Sequence, residues 1–181
     1  MESTTTPVQA SVKSGIIIGL VMLIINFVFY FIDYSLLVAT WYNIFVLILF
    51  FGLIIYFGKQ YRKDIGGYMT FSSAFQYSFV TLLICGIIAS IGNILLYQVI
   101  HPGLPDILVD QQLEGMLNLL DKFGAGDSIS AEQLDEMRLE MSESYTVMGQ
   151  LKGFGFSLII YAIMALILGA ILKKKDKSLD Y

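Results

Sequence analysis

The sequence predicts an all-α fold, a four-span transmembrane helix bundle with an acidic extracytoplasmic helical hairpin between spans three and four. Three observations predict it. Of 181 residues 56% are hydrophobic and only 14% charged, with a mean hydropathy of +0.72. Water-soluble domains carry about 25% charged residues, so lipid must replace water around much of this surface. Four continuous apolar runs are long enough for a hydrocarbon core of about 30 Å, which takes about 20 helical residues. Between the third and fourth runs lies a stretch of quite different character, with ten acidic against three basic residues from His101 to Lys152.

Residues 1–14 read as a cytoplasmic N-terminal segment leading into an uncleaved signal anchor, because no small-residue cleavage pattern follows a short apolar stretch. The first span runs from Gly15 to Tyr34 and the second from Ala39 to Phe57, with Asp33, Tyr34 and Ser35 breaking the apolar run where a hairpin turn reaches water. The third, Phe75 to Gln98, is approached through Gly66, Gly67 and Tyr68. The fourth lies within residues 153–172, and a basic tail, residues 173–181, follows it. Each run is continuously apolar, which excludes the short alternating strands of a membrane barrel. The helix, whose backbone groups satisfy one another, is the remaining choice in lipid.

Basic residues set the orientation. Lys13, then Lys59, Arg62 and Lys63, then Lys173, Lys174, Lys175 and Lys177 fall on one side, eight of the 11 in the chain. An even span count requires both termini on one side, and the positive-inside rule makes that side the cytoplasm. Tyr30, Tyr34, Trp41, Tyr42 and Tyr97 then sit at outer span ends, and Tyr56, Tyr61 and Tyr68 at inner ones, as interfacial anchors.

Residues 100–152 form the extracytoplasmic hairpin. Leu104, Ile107, Leu108, Leu113, Met116, Leu117 and Leu120 recur at helical spacing behind Pro105, and Gly124 to Asp127 break the pattern. Ser130 and Gln133 form a capping box for a second helix, with Ile129 placed to staple against Leu134. Leu134, Met137, Met141, Tyr145 and Met148 continue as one apolar stripe, a candidate face for a protein partner unless it packs on the hairpin itself or on the membrane surface.

Motifs for chemistry are missing. Asp121, Gly126 and Glu132 have the first, sixth and twelfth places of a calcium loop, but Phe123 and Ala125 occupy places that need oxygen ligands. His101 is the single histidine and reads as an interfacial polar residue, with no second histidine to make a metal site. Cys85 is the single cysteine, which excludes a disulfide framework within the chain. No nucleophile elbow, phosphate loop or dinucleotide fingerprint occurs. The reading is therefore a non-enzyme with no cofactor, and the net charge of −4 argues against a nucleic-acid partner.

Polar residues inside the spans are the other candidates, since in hydrocarbon they are costly and often functional. Asn26 lies near the centre of span one, Asn43 and Asn93 in the outer halves of spans two and three. Tyr161 falls at the depth of Asn26, so a hydrogen bond between spans one and four is expected. Gly15 with Gly19, Ala165 with Gly169, and Gly86, Ser90 and Gly92 supply small-residue faces, for packing within the bundle or for a homo-oligomer.

The stretches QASVKSGIIIGL (Gln9 to Leu20), IGGYMTFSSAF (Ile65 to Phe75) and IHPGLPDILVDQQL (Ile100 to Leu113), with the lysine-rich end after span four, resemble the bacterial membrane-protein family known as domain of unknown function 4199. The resemblance covers nearly the whole chain. It implies a multi-pass protein of the Gram-negative inner membrane and supplies no catalytic residues. Two functional readings follow: an accessory or scaffold protein acting through the acidic outer hairpin or, alternatively, a small solute or ion transporter or channel subunit with a pathway near Asn26, Asn43 and Asn93.

Overall fold

The computed structural model describes residues 6–124 and 129–175. Ala125, Gly126 and Asp127 of the predicted turn and Lys177 of the terminal basic cluster lie outside the described residues. Among the described residues six α-helices follow one another: α1 (Pro7–Ile32), α2 (Thr40–Asp64), α3 (Phe71–Leu95), α4 (Leu104–Lys122), α5 (Ala131–Tyr145) and α6 (Val147–Leu172). A 3-10 segment, Tyr34–Val38, joins α1 to α2, and a π turn, Leu96–Ile100, extends α3. Among the described residues four helices (α1, α2, α3 with its π turn, and α6) are long and apolar enough to cross a membrane. The chain is a membrane helix bundle.

A long helix covers each of the four apolar runs, but the helix starts are set by caps. The α1 helix starts at Pro7, eight residues before Gly15, because Thr6 and Gln9 form a capping box, the Gln9 amide donating to Thr6 Oγ1 at 3.3 Å and the Thr6 amide to Gln9 Oε1 at 3.1 Å. Thr70 caps α3 and Thr146 caps α6 with their side chains, so both start earlier than the apolar runs. Hydropathy marks where lipid begins. The first free N–H groups decide where a helix begins. Between α2 and α3 the chain turns on Gly66 and Gly67, at φ of 96° and 86°, a left-handed backbone that only glycine takes without strain.

The α3 helix is central. It packs along α1 on one flank and α6 on the other, while α2 touches all three sparingly. The small-residue faces are used inside the chain: a Cβ on Gly15 would stand 2.8 Å from Ile84 Cβ of α3, and one on Gly169 3.3 Å from the Phe75 backbone nitrogen. Ala165 is fully buried as well. The Gly15 and Gly169 faces therefore pack against α3 within the bundle.

At the lysine-rich end Ala10, Tyr61, Met69, Ala74, Tyr77 and Leu172 form one cluster, with the Tyr61 and Tyr77 rings stacked at 5.5 Å. Arg62 Nη1 donates to the Leu172 carbonyl at 2.9 Å, and Met69 and Lys174 exchange two backbone hydrogen bonds of 3.0 and 2.9 Å. The α2–α3 turn is thereby tied to the C-terminus of α6.

The other end is covered by α4 and α5. Leu104 and Leu108 of α4 pack on Leu96 and Tyr97 of the π turn, with Phe27, Tyr30, Leu37 and Val38 around them. The predicted capping box of α5 is present, the Gln133 amide donating to Ser130 Oγ at 3.2 Å and the Ser130 amide to Gln133 Oε1 at 2.9 Å. The two helices lie antiparallel, joined by an ion pair of Arg138 with Asp110 and by Gln112 Nε2 donating to the Tyr145 hydroxyl at 2.8 Å.

The expected five-residue stripe is not continuous. Leu134, Met137, Met141 and Tyr145 are half-buried on α5, but Thr146 then caps a new helix and leaves Met148 on α6, 61% exposed. The apolar spacing runs across a helix boundary because Thr146 and Val147 do not disturb it.

Candidate functional site

The α2 helix leans on the bundle at two places. Toward the lysine-rich end Ile54 is fully buried, and at Gly58 a Cβ would stand 2.5 Å from Leu172 Cδ1. At the hairpin end Tyr42, only 3% exposed, sits against Phe29 with ring centroids 4.7 Å apart. Its hydroxyl accepts a hydrogen bond from Asn26 Nδ2 at 3.5 Å. Between these supports Gly19 of α1 and Gly86 and Ala89 of α3 line a gap beside α2.

A cavity of about 680 Å³ results. Asn26 from α1, Asn43 from α2, Asn93 from α3 and Tyr161 from α6 all line it, together with Thr40 and Tyr42. The remaining wall is mostly apolar, including Met22, Leu47 and Phe50, and no described residue that lines it is charged. Such a composition, apolar with a few converging polar groups, is that of small-molecule sites, whose volumes run about 300 to 1,000 Å³.

The structure places the four predicted polar residues on one surface but does not join them as expected. Asn26 bonds Tyr42 rather than Tyr161, because Tyr161 lies against Gly86, about 10 Å deeper than the level at which Leu23 and Asn26 pass Gly92, and because α3 stands between α1 and α6. The expected equal depth of Asn26 and Tyr161 is not what the fold gives, since counting residues from the span ends ignores how far each helix is shifted along its axis. Asn43 Nδ2 donates to the Ala39 carbonyl at 3.1 Å. The Asn93 amide and the Tyr161 hydroxyl have no hydrogen-bond partner among the described residues; a Cβ on Gly86 would stand 2.5 Å from that hydroxyl. Sequence reasoning misses Tyr42, which it reads as an interfacial anchor. Its position one turn from Phe45 and opposite the Phe29 face of α1 is a property of the fold, and no local signal marks it.

A second, smaller cavity of about 200 Å³ lies between α1 and α2 at the lysine-rich end, with Gln9, Lys13, Gln60 and Asp64 on its wall.

At the hairpin end, Tyr30 and His101 are hydrogen-bonded, hydroxyl to Nδ1, at 3.2 Å, which ties α1 to the segment before α4. Asp33 Oδ1 accepts from the Ser35 amide at 2.9 Å, and its hydrogen bonds with Ser35 hold the Asp33 carboxyl below its ordinary value. Burial pushes the Tyr145 phenol up, partly offset by the Gln112 bond. Tyr145 packs edge-on against Tyr97 with centroids 4.9 Å apart, and Gln98 Nε2 donates to its carbonyl at 3.0 Å. The side chain thus serves to dock α5. Among the described residues no three His, Cys, Asp or Glu side chains converge into a metal site.

No curated protein and no solved structure matches the chain. The family model described as "Protein of unknown function (DUF4199)" matches residues 13–174, so the chain belongs to that family.

Proposed function

We propose that this protein is a non-catalytic, membrane-embedded binding protein that holds a small uncharged molecule in the cavity between α1, α2 and α3. One observation carries the reading: three asparagines and two tyrosines, drawn from all four long helices, converge on a single apolar cavity, and two of these polar groups lack a protein partner among the described residues. An amide or hydroxyl left unpaired in an apolar medium costs about 2 kcal/mol or more. A bound molecule with matching polar atoms removes that cost. The uncharged lining disfavours an ion or a charged solute, which needs opposite charge when it leaves water.

The topology belongs to the same proposal: a bacterial inner-membrane protein with both termini cytoplasmic and the α4–α5 hairpin outside, supported by the lysines near both termini and the α2–α3 turn. An accessory role through α5 has less support, since four of the five residues of its stripe are half-buried.

Native mass spectrometry of the protein extracted in mild detergent tests the binding reading. A copurifying neutral species is expected from the wild type and not from Ala89→Phe, which fills the cavity. A wild type free of any such species, and equally indifferent to added lipid-soluble compounds, refutes it. Reporter fusions at both ends and in the hairpin test the topology.

A further inference from the structure

The polar groups of the cavity are arranged in depth. Asn26 bonds Tyr42, the neighbour of Asn43, and Leu23, one turn from Asn26, meets Gly92 beside Asn93. The three asparagines therefore share one tier toward the hairpin end. Tyr161 lies against Gly86, seven residues before Asn93, which at 1.5 Å per residue is about 10 Å deeper. The two groups without partners among the described residues, the Asn93 amide and the Tyr161 hydroxyl, stand in different tiers, one at each end of the cavity. Both donate hydrogen bonds, and apolar or aromatic side chains such as Met22, Leu47 and Phe50 lie on the wall with them.

The wall is unequal from side to side. Toward α1 it is closed by the Tyr42 contacts with Asn26 and Phe29, whereas α6 adds only Tyr161 to it. Two α2 residues on the wall, Ile44 and Leu47, are 53% and 54% exposed and would lie in lipid. The wall carries fewest of the described residues on its α6 side.

Resting on the binding reading above, we infer that the ligand is an uncharged, lipid-soluble molecule that enters from the membrane between α2 and α6 and presents carbonyl oxygens to the Asn93 amide and the Tyr161 hydroxyl. A carbonyl oxygen accepts from both donors and carries no charge to desolvate, and a hydrogen bond of about 2.8 Å at each end leaves room between the tiers for a small ring or an ester-bearing backbone. A hydrocarbon tail leaves toward the lipid. Two sources share this chemistry, a quinone ring and a neutral glyceride ester.

The test titrates detergent-solubilised protein with decyl-benzoquinone in one arm and dioctanoylglycerol in the other, reading bound mass by native mass spectrometry. Saturable binding of either compound is expected, weakened roughly five- to tenfold by Asn93→Leu and again by Tyr161→Phe, the loss of one net hydrogen bond each. Whichever arm shows this names the source. Helix content and melting temperature verify that both variants remain folded. If Asn93→Leu and Tyr161→Phe bind both compounds like the wild type while Ala89→Phe does not, the carbonyl inference falls and the binding reading stands. The carbonyl inference alone also falls if neither compound binds but a different copurifying species is lost in Ala89→Phe. If nothing binds or copurifies, both fall together.

Discussion

The Asn26 amide donates to the Tyr42 hydroxyl at 3.5 Å, and this contact, with the Phe29 ring beside it, fastens the hairpin end of α2 to α1. Because α2 otherwise touches its neighbours sparingly along the cavity, the pair sets how far α2 stands from α3. Tyr42→Phe keeps the ring contacts and removes the bond, so a loss of about 0.5 to 1.5 kcal/mol is expected. Hydrogen exchange should rise across residues 40–50 and stay unchanged in α3. Uniform acceleration throughout the bundle would contradict the local role.

Two glycines should respond in opposite directions. Gly15 has Ile84 Cβ and the Thr81 carbonyl within 2.8 and 3.2 Å of any added Cβ, so Gly15→Val forces α1 off α3 and costs about 1 to 3 kcal/mol. Gly52 meets nothing within 4 Å in the middle of α2, and Gly52→Ala should stabilise by about 0.5 to 1 kcal/mol through reduced backbone freedom in the unfolded chain. Thermal melts in detergent decide both. Equal effects of the two substitutions would undo the packing assignment.

Docking of the hairpin should depend on alkaline pH. Burial raises the Tyr145 phenol above its ordinary value, so the folded state favours the neutral form. The corresponding stability is fully present below the unfolded value of about 10 and is lost as pH rises through the higher folded value. Protease sensitivity of α5 should therefore be flat through neutral pH and climb above about pH 10. In Tyr145→Phe the climb should shrink, and sensitivity at neutral pH should increase because the Gln112 side chain loses its bond to the phenol.

Arg62 holds the last carbonyl of α6 with Nη1 at 2.9 Å, a charged donor at the negative end of a helix. Arg62→Ala should cost about 1.5 to 3 kcal/mol and expose the Met69–Lys174 bridge to hydrogen exchange. If Arg62→Gln matches the wild type, the charge is irrelevant and only the donor matters.

The existence of the four spans was legible, because about twenty apolar residues in water have no alternative. Their neighbours were not. Each span is apolar on nearly every face, so no moment points toward the core, and nothing in the pattern says that α3 is central or that α1 and α6 are kept apart. That is why residue counting pairs Asn26 with Tyr161, although the fold sets Tyr161 about 10 Å deeper and Tyr42 receives the bond. The choice of Asn26, Asn43, Asn93 and Tyr161 follows from the cost of polar groups in lipid, and the fold gathers all four on one cavity for the same reason: an amide is cheaper facing a gap that admits polar atoms than facing acyl chains. The stripe ending at Met148 misleads because apolar spacing does not register a cap at Thr146.

The stitching of Arg62, Met69 and Lys174 to the far end of α6 gives the bundle a fixed fulcrum. With one end clamped and the other joined to α1 through the packed Tyr34–Val38 segment and the Tyr42 contacts, α2 is propped at both ends like a plank over a gap. The size of what fits beneath it is limited by how firmly Tyr42 keeps hold of α1.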